Sequence, residues 1–119
     1  MLTNEFRAAN GVSEVTWNAQ LAAAAQAYAE RMANEGFFSH TSPEGVTAGQ
    51  RIRDAGYRWI TYGENIAAGY STPESVMQGW KNSSGHRANM LKSSFRDLGV
   101  GYARSPSGVA YWVQDFGAR

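Results

Sequence analysis

Cysteine is absent from this chain of 119 residues, proline occurs three times, and histidine only twice. Without thiols there is no disulfide, no thiolate nucleophile and no cysteine-ligated metal. The redox compartment stays open, because a domain of this length can bury roughly two-thirds of its unfolded surface without covalent staples. Net charge is only +1, and Lys and Arg are scattered rather than gathered into a basic stripe, which excludes a nucleic-acid role. No apolar run approaches the roughly 20 residues of a membrane span, and no signal peptide opens the chain. Gly-x-Ser-x-Gly, phosphate-cradling loops and His-Glu-x-x-His are missing as well, so elbow hydrolases, P-loop enzymes and zincins are set aside.

Four Trp, six Tyr and five Phe are enough for one aromatic core, and no repeat or linker divides the chain. Residues 1–119 read as a single domain, expected to be monomeric. Leu2, Phe6 and Ala9 already follow helical spacing, so the reading is a mature domain excised from a longer exported precursor. Asn18 is placed to cap a helix in which Leu21, Ala24, Ala25, Tyr28 and Met32 share one face, with Gly36 as its stop. Phe37 to Gly45 reads as a loop whose two phenylalanines plug into the core. A short helix follows over Ala48 to Ala55. Tyr62 to Ala68 reads as a strand, Thr72-Pro73 opens a helix, and Ser83 or Ser84 opens another that ends at Leu91. Leu98 to Tyr102 and Val109 to Phe116 form a hairpin around Ser105-Pro106-Ser107-Gly108. The fold class is α+β: an α-β-α sandwich with a small, mainly antiparallel three-stranded sheet covered by helices on both faces. Gly99 and Gly101 fall on one face of their strand, where close packing of a helix or ring explains them better than a ligand does.

The two histidines lie in polar clusters that core packing does not demand. His40 is in Phe37-Phe38-Ser39-His40-Thr41-Ser42-Pro43, and His86 is in Ser83-Ser84-Gly85-His86-Arg87. Alternation puts Tyr62, Glu64 and Ile66 on one strand face, where a carboxylate needs a partner; an imidazole or a metal would serve. The alternative is a structural acceptor for loop amides. At a helix start the dipole disfavours an imidazolium, so His86 is expected neutral, the form a metal requires. Asn89 is read as bonding backbone in a neighbouring loop, a fold-holding role. A Ser-His-carboxylate set can be written from Ser39 or Ser84, but serine beside histidine is too common to carry weight.

Taken in order, Phe-Ser-His-Thr-Ser-Pro, Gly-Glu-Asn-Ile-Ala, Trp-x-x-Ser-x-Gly-His-Arg-x-Asn-Met-Leu, Leu-Gly-Val-Gly-Tyr-Ala and Tyr-Trp-Val-Gln-Asp-Phe-Gly resemble the CAP superfamily. That family is the SCP-like group named after cysteine-rich secretory proteins, antigen 5 and pathogenesis-related 1; the resemblance is closest to its cysteine-free bacterial branch. It implies an α-β-α sandwich with an open cleft, usually exported, where two His and two Glu can surround a divalent metal such as zinc. By resemblance His40 is the first histidine and Glu64 the first glutamate. The second glutamate position holds Ser83, and the second histidine position holds Tyr111, so the four-residue site is not intact.

The functional expectation is an exported, extracellular or cell-envelope binding or interaction module. Its cleft is lined by His40, Glu64, His86 and Tyr111, and it takes a lipid, peptide or cell-wall component. The alternatives are a metal-assisted hydrolase of peptide or cell-wall material, with Glu64 as base, and a lipid-binding protein. His40, Glu64 and His86 are the candidate ligands for weakly held zinc, and His40 and Glu64 are expected to meet through a hydrogen bond or a bridging water.

Overall fold

Asn18 begins the longest helix by accepting hydrogen bonds from the backbone N–H groups of Gln20 and Leu21 (2.9 and 3.0 Å), the cap its sequence predicts. That helix ends at Gly36, whose φ of +72° suits a residue without Cβ. The computed structural model describes residues 1–119. The order is α1 (Leu2–Ala9), β1 (Thr16–Trp17), α2 (Ala19–Glu35), α3 (Ala48–Asp54), β2 (Thr61–Ala68), α4 (Pro73–Lys81), α5 (Ser84–Leu91), β3 (Asp97–Arg104) and β4 (Ala110–Ala118).

The sheet has four strands in the order β1-β3-β4-β2, which corrects the expectation of three. The extra strand is two residues long and pairs parallel to β3, with Thr16 opposite Asp97 and Trp17 opposite Leu98. Two residues cannot display a period of two, so this strand left no pattern to read. The remaining pairs are antiparallel, as expected.

Helices cover both faces. On one face α2 lies directly on the sheet: a Cβ on Gly99 would stand 2.0 Å from the backbone nitrogen of Ala22, and one on Gly101 would stand 2.4 Å from the Ala25 carbonyl. The two glycines are therefore there for helix packing. Ala25, Tyr28, Ala29 and Met32 of α2 close over Ile66 and Val113. On the other face α1, α4 and α5 bury Phe6, Val76, Met77, Trp80 and Met90 against Leu98, Trp112 and Phe116. α4 opens with a capping box in which Thr72 and Ser75 satisfy each other's backbone N–H groups. Arg7, fully buried, donates to the carbonyls of Ser13, Met90, Lys92 and Phe95 and so ties α1 to the α5–β3 connection.

β2 is an edge strand, and its open side is covered by side chains. The Trp80 indole N–H donates to the Ile66 carbonyl at 3.2 Å, and the Asn89 amide donates to the Glu64 carbonyl at 3.2 Å. Asn89 also donates to the Asn65 side chain (2.9 Å), and Asn65 donates to Gln114 and to the His86 carbonyl. This buried amide chain docks α5 on the sheet and leaves its amino end beside the edge of β2. Asn89 bonds backbone and holds the fold as expected, but its acceptor is on strand β2 rather than in a neighbouring loop.

Candidate functional site

Glu64 is buried on β2, facing α2 and α3. Its side chain retains 2% exposure and is held by two cations or potential cations. The Arg51 guanidinium of α3 grips it in a fork, Nη1 to Oε2 at 3.0 Å and Nη2 to Oε1 at 3.0 Å. His40 Nδ1 stands 2.9 Å from Oε1. Burial pushes the Glu64 carboxyl up, but its hydrogen bonds to His40 and Arg51 and the Arg51 charge outweigh it and hold the group below the usual carboxylate range. An ionised Glu64 has no proton to give, so Nδ1 of His40 is the donor and Nε2 faces outward. The His40 side chain keeps 54% exposure.

The loop that carries His40 is fixed from below. The Phe37 ring packs edge-on against Tyr28, 5.8 Å between centroids. The Tyr28 hydroxyl donates to the Ser39 carbonyl at 2.6 Å, and Arg51 Nη2 donates to the His40 carbonyl at 2.7 Å. Arg51 also lies 3.3 Å from the Tyr28 ring centroid, a stacked cation–π contact. One arginine thus holds both the carboxylate and the loop that presents the imidazole. Phe38 departs from the expectation that both phenylalanines enter the core: Phe37 docks, whereas Phe38 stays 53% exposed. The ring space beneath the loop is already filled by Tyr28 and Phe37.

Across the edge of β2 stands His86, at the start of α5, with Nδ1 2.8 Å from the Ser83 hydroxyl. Burial, helped by the nearby charge of His40, holds the His86 imidazole below its ordinary value. Between the His40 loop and the α4–α5 corner runs a groove of roughly 290 Å³, lined by Phe38, Ile66, Ala67, Ala68, Tyr70, Gly79, Trp80, Ser83 and His86. Its floor is apolar and its polar groups sit at one end, the general make-up of a ligand site. A second hollow of roughly 320 Å³ between α2 and α3 has Arg31 and Arg51 at its rim, but both guanidiniums are already paired with carboxylates.

The four sequence candidates therefore separate. His40 and Glu64 meet directly. His86 stands on the opposite wall and bonds to Ser83. Tyr111 lies opposite Ala68, half-buried under α2 beside Tyr28 and Phe37, four residues from Glu64's partner along β4 and so roughly 13 Å away. The three candidate metal ligands do not assemble, and no three His, Asp or Glu side chains form a group able to hold a metal ion. Arg51 takes both Glu64 oxygens, and His86 is bonded to Ser83 instead. Two participants escaped the sequence reading. Arg51 lies on the inward stripe of α3 with Ala48, Ile52 and Ala55, and an arginine in such a stripe was the available signal. Asp115 lies directly opposite Glu64 on β4, and a carboxylate between Val113 and Phe116 was the same signal that picked out Glu64.

Residues 1–116 match the CAP family, described as the cysteine-rich secretory protein family. The chain belongs to the CAP family. Uncharacterized protein YkwD of Bacillus subtilis strain 168 is 37% identical over 115 residues, covering 97% of this chain and 44% of that protein. The chain thus spans less than half of this relative, and 32% of another, the uncharacterized membrane protein YlbC. Among solved structures, an extracellular SCP-domain protein of Bacillus anthracis strain Ames superposes with a TM-score of 0.90 at 35% identity, covering 99% of this chain and 38% of that one. An outer surface protein of Borrelia burgdorferi reaches the same TM-score of 0.90 at 22% identity, covering 99% and 87%, a likeness of fold. No helix of this CAP domain is long and apolar enough to cross a membrane.

Proposed function

We propose that this CAP domain is an exported binding module, and that its ligand lies in the groove between the His40 loop and the α4–α5 corner. The ligand is an extracellular lipid, peptide or cell-wall component with an apolar part for Ile66, Ala67 and Phe38 and a polar part for the imidazoles. One observation carries the reading: Glu64 is sealed. With both oxygens bonded and 2% of its side chain exposed, it cannot reach a substrate proton as a general base must. What it does is hold an exposed imidazole in one orientation, which is the work of a recognition group. Export is supported by the extracellular and outer-surface descriptions of the structural relatives.

The test is turnover against casein and peptidoglycan, with and without zinc, alongside NMR titration with soluble muropeptides and short-chain lipids. The expected result is no metal-dependent hydrolysis, and shifts confined to Phe38, Ala68, Tyr70 and the two imidazoles. Zinc-dependent hydrolysis lost in Glu64→Gln, with the fold intact, would replace this reading by the hydrolase.

A further inference from the structure

We infer that Ser83 and His86 form an acyl-transfer pair at the end of the groove, acting on small uncharged esters. The inference rests on the groove being the ligand site and names the class of ligand that could react there.

The Ser83 hydroxyl does not do what its position invites. Ser83 is the residue at which α5 begins, where a serine ordinarily accepts a hydrogen bond from the helix's first backbone N–H groups. Here it makes no such bond. Its oxygen stands 2.8 Å from His86 Nδ1 instead, within the distance that pairs a nucleophile with its base. In its neutral form His86 can accept the hydroxyl proton at that nitrogen.

Leaving the helix uncapped has a second consequence. Arg87 N–H donates to the Ser83 carbonyl at 2.8 Å, and with no side-chain cap on α5 the N–H groups of Ser84 and Gly85 have no side-chain partner. They follow the nucleophile directly, the relation in which a backbone amide can meet the oxygen of a tetrahedral intermediate. The helix start is open on the side where Gly85 would carry a Cβ, which would meet nothing within 4 Å. The acyl chain has its own place along the groove, between Phe38, Tyr70 and Trp80 over Ala68. The Tyr70 ring is held close against Gly79, where a Cβ would stand 2.4 Å from the hydroxyl oxygen, so this wall is built to shape. No carboxylate or ammonium lines the groove, which selects an uncharged acyl group.

In the reaction the Ser83 oxygen forms a bond to the acyl carbon while its proton passes to His86 Nδ1. The carbonyl electron pair moves onto oxygen, facing the Ser84 and Gly85 amides. On collapse the bond to the alcohol oxygen breaks, and that oxygen takes the proton back from His86. Water then attacks the acyl-serine, giving one proton to His86, and the departing Ser83 oxygen recovers it as the carboxylic acid leaves. No oxidant or further reactant enters. Nothing bonds the far nitrogen of His86, so the rate will be modest beside that of a triad.

The test uses p-nitrophenyl butyrate as reactive probe and N-propyl butyramide as its slow analogue, with wild type, Ser83→Ala and His86→Gln. Folding of each variant is checked by circular dichroism; Ser83 makes no cap, so its replacement should fold. The inference expects hydrolysis above buffer, a butyryl adduct mapped to Ser83 by mass spectrometry, and a loss of about 10²-fold or more in either variant. The double variant should be no slower than the singles, since the two groups act as one unit. Turnover that survives Ser83→Ala, an adduct on another residue, or no turnover at all would overturn the inference. If the amide still shifts Phe38 and Tyr70 in NMR while no ester is cleaved, acyl transfer fails and the binding reading stands. If neither occurs, the groove itself is not the site.

Discussion

Asp115 faces Glu64 directly across the β2–β4 ladder, so two carboxyl groups share one buried position beneath α2. Asp115 is fully buried, and no donor reaches either of its oxygens. Burial, then the charge of Glu64, pushes the Asp115 carboxyl well above the usual range, while Glu64, gripped by Arg51 and His40, is held below its own.

Opposite signs of pH dependence follow for the two groups. A raised carboxyl loses stability as pH climbs through its folded value, while a lowered one loses stability as pH falls below the ordinary Glu value of about 4.3. Asp115→Asn should therefore gain on the wild type progressively as pH rises above the ordinary Asp value of about 3.9. Glu64→Gln should flatten the acid limb. Thermal melts from pH 3 to 10 read both; parallel curves for Asp115→Asn and wild type would show that Asp115 is already ionised.

Replacing Arg51 by Met should be severe. It leaves a buried carboxylate without its fork, a change that costs about 3–5 kcal/mol, and it releases the His40 carbonyl at the same time. The double variant Arg51→Met/Glu64→Gln should recover much of the loss, since the orphaned charge is then gone. Urea denaturation of the four proteins checks it. Additive losses would mean that the pair is not coupled.

The glycines supply a steric prediction. Gly99→Ala drives a methyl into the backbone of α2 and should cost about 1–3 kcal/mol or more by overpacking, the scale seen in well-filled cores. Gly85→Ala, with open space around it, should be near neutral. Equal denaturation midpoints for the two would contradict the close contact of α2 with β3.

Much of this was legible in the chain because it was written in local signals. Asn18, Gly36, Thr72-Pro73 and the Ser105–Gly108 turn mark ends of elements through backbone chemistry that neighbouring residues decide. Gly99 and Gly101 announced helix-on-sheet packing because their spacing alone put them on one face. Glu64 announced a partner because a carboxylate in a strand interior needs one, and His40 proved to be in contact with it. Arg51 showed in the sequence only as an arginine on the inward stripe of α3; its partner, 13 residues away on another element, leaves no local mark. β1 was too short to show a period. The separation of His86 from Glu64 depends on which side of an edge strand α5 docks, and that is fixed by the Asn65–Asn89–Gln114 bonds, tertiary contacts with no sequence pattern of their own.

Imidazole ¹⁵N–¹H correlation spectra separate a His40 held by Glu64 and Arg51 as a fixed recognition group from a His40 that ligates metal. The chain has only two histidines, so His40→Ala assigns both. At pH 8 the expected spectrum has a proton on His40 Nδ1, and no coordinated shift of His40 and His86 on adding one equivalent of zinc. A bare His40 Nδ1, or zinc moving both imidazoles together, would contradict it.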